Sequence, residues 1–94
     1  MTRFEIDRTK NKENLRKHRM ALPIGNFVFD GLYFETADLR RDYRETRLVA
    51  VGPARELGDK LLSVAYTWRD QQRRIFSVRS ASVPESREYR HRHA

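Results

Sequence analysis

Apolar and β-branched residues dominate three runs in the second half of the chain, and these runs predict three β-strands. They are TRLVAVG at residues 46–52, KLLSVAYTW at residues 60–68 and RRIFSVRS at residues 73–80. Short polar connections separate them. Strands joined by such connections run antiparallel, because a parallel crossover needs about a dozen residues or more. The pattern therefore predicts an antiparallel meander.

The first eighteen residues predict a short strand followed by a helix. Phe4 and Ile6 alternate with charged neighbours, as in a strand. Residues 8–18 contain helix-forming residues without glycine or proline, and Asp7 stands where a helix N-cap belongs. The only apolar residue of this helix is Leu15, so we expect the burial of apolar surface to stabilise the helix only slightly.

Two further helices are predicted, one before the meander and one after it. Residues 21–30 place apolar side chains as in a short helix, which Pro23 would begin and Gly25 would weaken, and this segment should supply much of the core. Residues 82–93 open with a serine followed three residues later by a glutamate, which is the spacing of a capping box. A short strand and a basic loop lie between residues 31 and 47. The order of elements predicts an α+β domain.

The composition of the chain limits its size, its location and the classes of partner that it is expected to bind. A length of 94 residues suits a single domain, 1–94, with a frayed tail at about residues 90–94. Twenty Lys and Arg against thirteen Asp and Glu leave a net charge of +7, which favours nucleic acid, anionic lipid or an acidic protein as partner. The absence of cysteine excludes disulfides and thiolate metal sites, and no apolar run reaches the roughly 20 residues that span a bilayer. We expect a cytoplasmic protein without metal or cofactor.

The polar face of the first helix is a candidate binding surface. At about 100° per residue, Lys10, Asn14, Lys17 and His18 share one face. Two interpretations are open. The face is either a solvated helix surface, or a phosphate-binding stripe with an imidazole at its end.

Candidate residues also lie near the end of the chain. Strict alternation along the third meander strand places Ile75, Ser77 and Arg79 on one face, so that a cation ends an apolar row. Arg79 is either a functional cation or a surface charge that pairs with a local carboxylate. Glu85 and Tyr89 are four residues apart, so a carboxylate and a phenol can meet on one helix face.

Two further pairs of residues are candidates for base stacking or for metal binding. Tyr66 and Trp68 share a face of the second meander strand, where they either stack on bases or pack in the core. His91 and His93 alternate with arginine in a basic tail, which is typical of a solvated tail rather than a metal site.

The combined spacing resembles the BrnT family of type II toxin-antitoxin ribonucleases. The opening resembles F-E-W-D-x-x-K-x-x-x-N-x-x-K-H, with matches at Phe4, Glu5, Asp7, Lys10, Asn14, Lys17 and His18. The central block resembles D-x-R-H-S-x-x-E-x-R, with matches at Asp38, Arg40, Glu45 and Arg47 and a following Gly52. The final block resembles S-A-R-x-A-T-x-x-E-x-x-x-Y, with matches at Ser77, Arg79, Ala81, Glu85 and Tyr89.

The resemblance implies a compact RelE-like fold with a small antiparallel sheet, two N-terminal helices and one C-terminal helix. It also implies a metal-independent endoribonuclease that inhibits translation. The expected partners are an RNA substrate and a BrnA-like ribbon-helix-helix antitoxin, which neutralises the toxin and binds operator DNA in a higher-order complex.

Metal-free RNA cleavage needs a base for the 2′-hydroxyl, cations for the phosphorane and an acid for the leaving 5′-oxygen. The resemblance supplies candidates for each role. Expected catalytic residues are His18 as base or acid, Lys17 and Arg79 as phosphate clamps, and Glu85 or Tyr89 as a second proton-transfer or orienting group. Expected RNA-binding residues are Lys10, Asn14, Arg40, Arg41 and Arg47, the last as a further clamp.

Four positions depart from the family pattern, namely Ile6, Arg19, Arg41 and Asp42. Arg41 replaces a histidine, and an arginine binds phosphate but does not accept a proton near neutral pH. This departure favours a second hypothesis, a non-catalytic RNA- or protein-binding module on the same fold. Arg19 stands where a glycine would suit a left-handed helix end.

Overall fold

A computed structural model describes residues 4–39 and 44–93 of the protein. The elements, in chain order, are β1 (Phe4–Ile6), α1 (Arg8–His18), a long 3₁₀ helix (Leu22–Asp30), β2 (Phe34–Ala37), β3 (Leu48–Ala54), a 3₁₀ turn (Arg55–Leu57), β4 (Lys60–Arg69), β5 (Gln72–Ser80) and α2 (Val83–Arg92). This order confirms the predicted α+β class. Within the described residues, no helix is long and apolar enough to cross a membrane.

Five strands form one sheet in the order β1-β5-β4-β3-β2. Strands β2 to β5 pair antiparallel, which confirms the predicted meander. Strand β1 pairs with β5 in parallel, from Phe4 beside Arg73 to Ile6 beside Ile75. The sequence did not predict this parallel pair. It is possible because the long chain between the two strands leaves ample room for a crossover.

A register shift interrupts the pairing of β4 with β5. Tyr66 pairs with Ile75, whereas the preceding Ala65 pairs with Ser77, so Phe76 is the extra residue of a β-bulge. The bulge absorbs one residue without a partner across the ladder. Alternation in β5 therefore starts again after Phe76.

The bulge changes which side chains of β5 share a face. Ile75 and Val78 are both fully buried in the core, whereas Ser77 and Arg79 line a cavity on the other face of the sheet. The prediction that Ile75 shares a face with Ser77 and Arg79 was wrong, because strict alternation does not continue through a bulge.

The core lies between the sheet and the long 3₁₀ helix, which confirms the expectation for residues 21–30. Its fully buried side chains include Leu22 and Val28 of that helix, together with Leu62, Val64, Tyr66, Ile75 and Val78 of the sheet. Gly25 permits close packing, because a Cβ atom there would lie 3.0 Å from Val64 Cγ1. The helix backbone thus approaches the sheet directly.

A buried amide attaches α1 to the sheet. Asn14 is 4% exposed, and its Nδ2 group donates to the carbonyl oxygens of Met20 and Val78, each at 2.8 Å. The Val78 N–H donates to Asn14 Oδ1 at 3.0 Å. Strand β1 pairs with β5 only as far as Ile75, so the amide takes the place of a neighbouring strand at Val78. Leu15 is 51% exposed.

These contacts give Asn14 a structural part, and its expected contact with RNA stays a prediction. Both N–H donors of its side chain and one lone pair of its oxygen bond to backbone inside the protein, and Asn14 also lines a small cavity beside His18. Asn14 is a structural residue of the helix-sheet contact.

The ends of α1 match the sequence signals. Asp7 accepts a hydrogen bond from the Lys10 N–H at 3.1 Å, and this bond lowers the pKa of the Asp7 carboxyl. Arg19 adopts the left-handed conformation with φ of 57°, and its N–H donates to the Leu15 carbonyl at 2.9 Å. An arginine thus occupies a backbone position that glycine favours.

Helix α2 begins with the predicted capping box. The Glu85 N–H donates to Ser82 Oγ at 3.2 Å, and the Ser82 N–H donates to Glu85 Oε1 at 2.8 Å. None of the ten residues of α2 is buried, and the helix continues to Arg92, within the stretch for which a frayed tail is predicted. Helix α2, like α1, is thus held by polar contacts.

Candidate active site

A cavity of about 470 Å³ opens on the face of the sheet opposite the core. Its floor consists of small side chains from the three central strands, Val49, Ser63, Ala65 and Ser77. Residues 36–39, at and after the end of β2, form one wall. The remaining lining side chains are His18, Arg79 and Glu85.

The cavity brings together three of the residues expected from the sequence. His18 is the last residue of α1, Arg79 lies near the end of β5, and Glu85 lies in the first turn of α2. They come from distant parts of the chain and meet because both helices end or begin beside β5. One imidazole, one guanidinium and one carboxylate therefore surround the same space.

Arg79 and Glu85 form a two-pronged ion pair. Arg79 Nη1 donates to Glu85 Oε1 at 2.7 Å and Nη2 donates to Oε2 at 3.1 Å. Nη1 also donates to the Ser80 carbonyl at 3.1 Å. A guanidinium has five N–H donors, so Nε–H and one Nη2–H have no partner among the described residues. Those two donors form the fork that binds a phosphate in parallel.

Glu85 is held in its ionised form. Burial by itself would raise the pKa of this carboxyl, but hydrogen bonds from Arg79, the Ser82 N–H and the Ser63 hydroxyl outweigh burial and lower its pKa to about 2. A carboxylate with this pKa has no proton to give near neutral pH. Glu85 is therefore suited to orient Arg79 and unsuited to act as an acid.

A smaller cavity of about 120 Å³ adjoins the first one and shares His18 and Ser77 with it. Its other lining residues are Lys10, Glu13, Asn14, Lys17 and Phe76. The Lys10 ammonium lies 5.6 Å from the centre of the Phe76 ring. Together the two cavities form a groove with two lysines at one end. Such a groove can follow a chain of phosphates.

Arg47 lies beside the same ring. Its guanidinium carbon is 4.1 Å from the centre of the Phe76 ring, and its Nε donates to Glu45 Oε1 at 3.2 Å. The Phe76 ring thus makes cation–π contacts with two side chains, Lys10 and Arg47. Arg47 is not among the side chains that line the larger cavity. Arg40, Arg41 and Asp42 lie outside the described residues.

Tyr89 is not brought together with the other expected site residues. Its hydroxyl donates to the Leu32 carbonyl at 3.1 Å, and its ring lies 6.5 Å from that of Phe34. It lines a separate cavity of about 290 Å³ with residues such as Phe27 and Pro53. The contacts of Tyr89 are those of a residue that docks α2 onto the body of the protein.

The two aromatic residues of β4 surround a buried cation. Tyr66 lies in the core and Trp68 is half-exposed. The guanidinium carbon of Arg73 lies 4.5 Å from the Trp68 ring and 5.4 Å from the Tyr66 ring, and it is closest to Phe29, at 3.8 Å. Tyr66 is therefore a core residue and has no face on which a base could stack.

Sequence reasoning missed Ser63, which is 3% exposed in the floor of the cavity. Its hydroxyl donates to Glu85 Oε2 at 2.9 Å. The available signal was a serine inside the apolar run KLLSVAYTW. Within residues 4–39 and 44–93, no three histidine, aspartate or glutamate side chains come together as a metal site would require.

Comparisons with known proteins identify the family and the fold. The family model of the ribonuclease toxin BrnT of type II toxin-antitoxin systems matches residues 7–85. The crystal structure of the Brucella abortus ribonuclease toxin BrnT has the same fold, with a TM-score of 0.61 and 22% sequence identity over 87% of this chain and 99% of that chain. No curated protein sequence matches the chain. The matched family segment contains His18, Arg79 and Glu85.

Proposed function

The chain belongs to the BrnT ribonuclease toxins of type II toxin-antitoxin systems, and on that premise we propose that it is an active, metal-independent endoribonuclease that inhibits translation. The observation that carries the proposal is the cavity in which His18 meets the Arg79–Glu85 pair. An imidazole and a guanidinium with two available donors are the groups that RNA cleavage without metal needs.

In the proposed reaction the 2′-oxygen of one nucleotide attacks the adjacent phosphorus, and the bond from phosphorus to the 5′-oxygen breaks. His18 takes the proton of the 2′-hydroxyl as that oxygen attacks and, as an imidazolium, returns it to the leaving 5′-oxygen, so that the products are a 2′,3′-cyclic phosphate and a 5′-hydroxyl. Arg79 binds the phosphate through Nε–H and Nη2–H and stabilises the charge that develops on its oxygens. Its pairing with Glu85 stays in place throughout.

The lysines of the groove bind the phosphates on one side of the scissile bond. Lys10 and Lys17 line the smaller cavity, which shares His18 with the larger one. Arg47, beside Phe76, and the arginines at positions 40 and 41 would add further positive charge. These side chains contribute to affinity for RNA rather than to the chemical step.

The partner of the toxin is proposed to be a BrnA-like ribbon-helix-helix antitoxin that binds operator DNA and covers the cavity. Membership of a type II toxin-antitoxin family and the net charge of +7 support a partner with an acidic surface. Co-expression of the adjacent reading frame tests this. The small acidic partner should copurify and stop RNA cleavage, whereas an adjacent frame without such a product would contradict the proposal.

RNA cleavage by the purified protein in EDTA tests the catalytic assignment. We expect His18→Ala and Arg79→Ala to lower the rate by about 100-fold or more. The matched controls are His91→Ala and Arg87→Ala, which remove an exposed imidazole and an exposed guanidinium from α2. They should leave the rate unchanged.

The second candidate function is a non-catalytic RNA-binding module, which the arginine at position 41 favours over the enzyme. It predicts salt-sensitive RNA binding without turnover and no growth arrest on expression. Absence of cleavage by the wild type, or equal cleavage by the two site variants and their controls, would select this function.

A further inference from the structure

Ser63 lies directly opposite Arg79 in the sheet. The two residues are register partners on β4 and β5, and both side chains point to the cavity. The Ser63 hydroxyl reaches Glu85 Oε2, the same oxygen that accepts from Arg79 Nη2. A strand residue thus fixes the carboxylate that holds the arginine.

The Glu85 carboxylate accepts four hydrogen bonds, two on each oxygen. Oε1 accepts from Arg79 Nη1 at 2.7 Å and from the Ser82 N–H at 2.8 Å. Oε2 accepts from Arg79 Nη2 at 3.1 Å and from the Ser63 hydroxyl at 2.9 Å. No strong acceptor site is left for a substrate proton, since two bonds on each oxygen use its lone pairs.

We propose that Ser63 and Glu85 are positioning residues, which together set the plane of the Arg79 guanidinium so that its second edge faces the scissile phosphate. This inference rests on the proposed ribonuclease function. Glu85 transfers no proton in it. Ser63 contributes rigidity, because its backbone is fixed by strands on both sides, whereas Glu85 lies on a helix without buried residues.

The arrangement explains why a serine interrupts the apolar run of β4. An alanine would fill the position equally well, but it would leave Oε2 with one fewer donor and let the Glu85 side chain rotate. The Arg79 guanidinium would then move as well, because it is paired with the Glu85 carboxylate. A small displacement of a phosphate-binding fork lowers the rate much more than it lowers affinity, since the transition state needs the exact fit and the ground state does not.

Three variants separate positioning from simple stabilisation. Ser63→Ala removes the strand donor, and Glu85→Gln removes the charge and places an N–H group toward Arg79. Ser82→Ala is the matched control, because it removes the side-chain cap of α2 but keeps the Ser82 N–H bond to Glu85. Thermal unfolding measures the stability of all three.

The expected result is a 10- to 100-fold lower kcat for Ser63→Ala, about the size of effect that a misplaced group produces, with KM nearly unchanged. Glu85→Gln should lose at least as much activity. Ser82→Ala should keep the wild-type kcat although it loses stability. Activity losses that follow stability across all three variants would overturn the proposal.

A second measurement does not depend on RNA cleavage. The Arg79 Nε–H signal in a nitrogen-proton NMR spectrum should be sharp in the wild type and in Ser82→Ala, and shifted and broadened in Ser63→Ala. An unchanged Arg79 signal in folded Ser63→Ala would overturn the positioning role, whether or not the protein cleaves RNA. If the wild type does not cleave but the signal responds as expected, only the proposed ribonuclease function fails.

Discussion

Helices α1 and α2 are both attached to the sheet by polar side chains, but these side chains differ in charge and in burial. Each has almost no apolar face, each supplies one side chain to the larger cavity, and in each a polar side chain is hydrogen-bonded to the sheet. Tyr89 adds a further contact of α2 with Leu32 and Phe34. Asn14 attaches α1 with a buried neutral amide, whereas Glu85 attaches α2 with a partly exposed carboxylate. Polar anchors can therefore replace a hydrophobic stripe, and their chemistry decides which conditions release the helix.

The two anchors should respond differently to solution conditions. The hydrogen bonds of Asn14 involve no charge, so pH and salt leave them unchanged. The bonds of Glu85 involve an ionised pair near the surface, and such a pair weakens in salt and on protonation. We therefore expect the Asn14 anchor to stay constant and the Glu85 anchor to change with pH and salt.

The largest effect is expected at Asn14. Asn14→Ala leaves the N–H and carbonyl groups of Val78 without a partner inside the protein, and should lower the free energy of unfolding by about 3 kcal/mol. Urea denaturation measures it. The matched control is its neighbour Leu15→Ala, which should change stability by less than about 0.5 kcal/mol because Leu15 is half-exposed. A larger loss at Leu15 than at Asn14 would contradict the comparison.

The next effect is a pH dependence that belongs to Glu85. Because folding lowers the pKa of this carboxyl from 4.5 to about 2, its contribution is complete above pH 4.5 and is lost as the pH falls toward 2. Partial exposure screens the pair, so we expect about 1 kcal/mol. Glu85→Gln should make this slope in urea denaturation curves smaller and leave the part that the lowered pKa of Asp7 contributes.

The matched control for the pH dependence is Glu88→Gln, which lies on the same helix and breaks the exposed pair with Arg92. It should leave the slope between pH 4.5 and 2 in place. The same contribution should shrink in 1 M salt. A slope as steep in Glu85→Gln as in the wild type would mean that the Glu85 carboxylate does not anchor α2.

The smallest effect concerns the end of α1. Arg19 has a left-handed backbone, so Arg19→Gly should raise the free energy of unfolding by about 1 kcal/mol. The control Arg16→Gly, inside the same helix, should lower it by about 1 kcal/mol. Thermal unfolding measures the change in stability of both variants. Equal changes at the two positions would show that the left-handed conformation is not a strained one.

Much of this fold could be predicted from local patterns. The helix of residues 8–18, the meander and the capping box of α2 depend on neighbours in sequence, and all three are confirmed. The family motif also selected His18, Arg79 and Glu85, which line one cavity. Periodicity and capping carry this information because they act within a few residues.

The features that could not be predicted depend on distant partners. The burial of Asn14 follows from the open edge of β5 at Val78, 64 residues away. The role of Ser63 follows from its pairing with Arg79 across the sheet. Tyr89 matches the motif as well as Glu85 does, but a turn of helix carries it to Leu32 instead. One sequence cannot specify which edges and partners the fold will present.

The β-bulge at Phe76 lets two successive residues of one strand, Phe76 and Ser77, line the same small cavity. A regular strand has only two faces, and here one is committed to the core through Ile75 and Val78 and the other to the cavity through Ser77 and Arg79. If Phe76 were deleted, Ile75, Ser77, Val78 and Arg79 would alternate without interruption between the core face and the cavity face. The same side chains would therefore still face the core and the cavity. The ring of Phe76 is therefore an addition to a complete scaffold, and the contacts of Lys10 and Arg47 with this ring do not determine which side chains form the floor of the cavity.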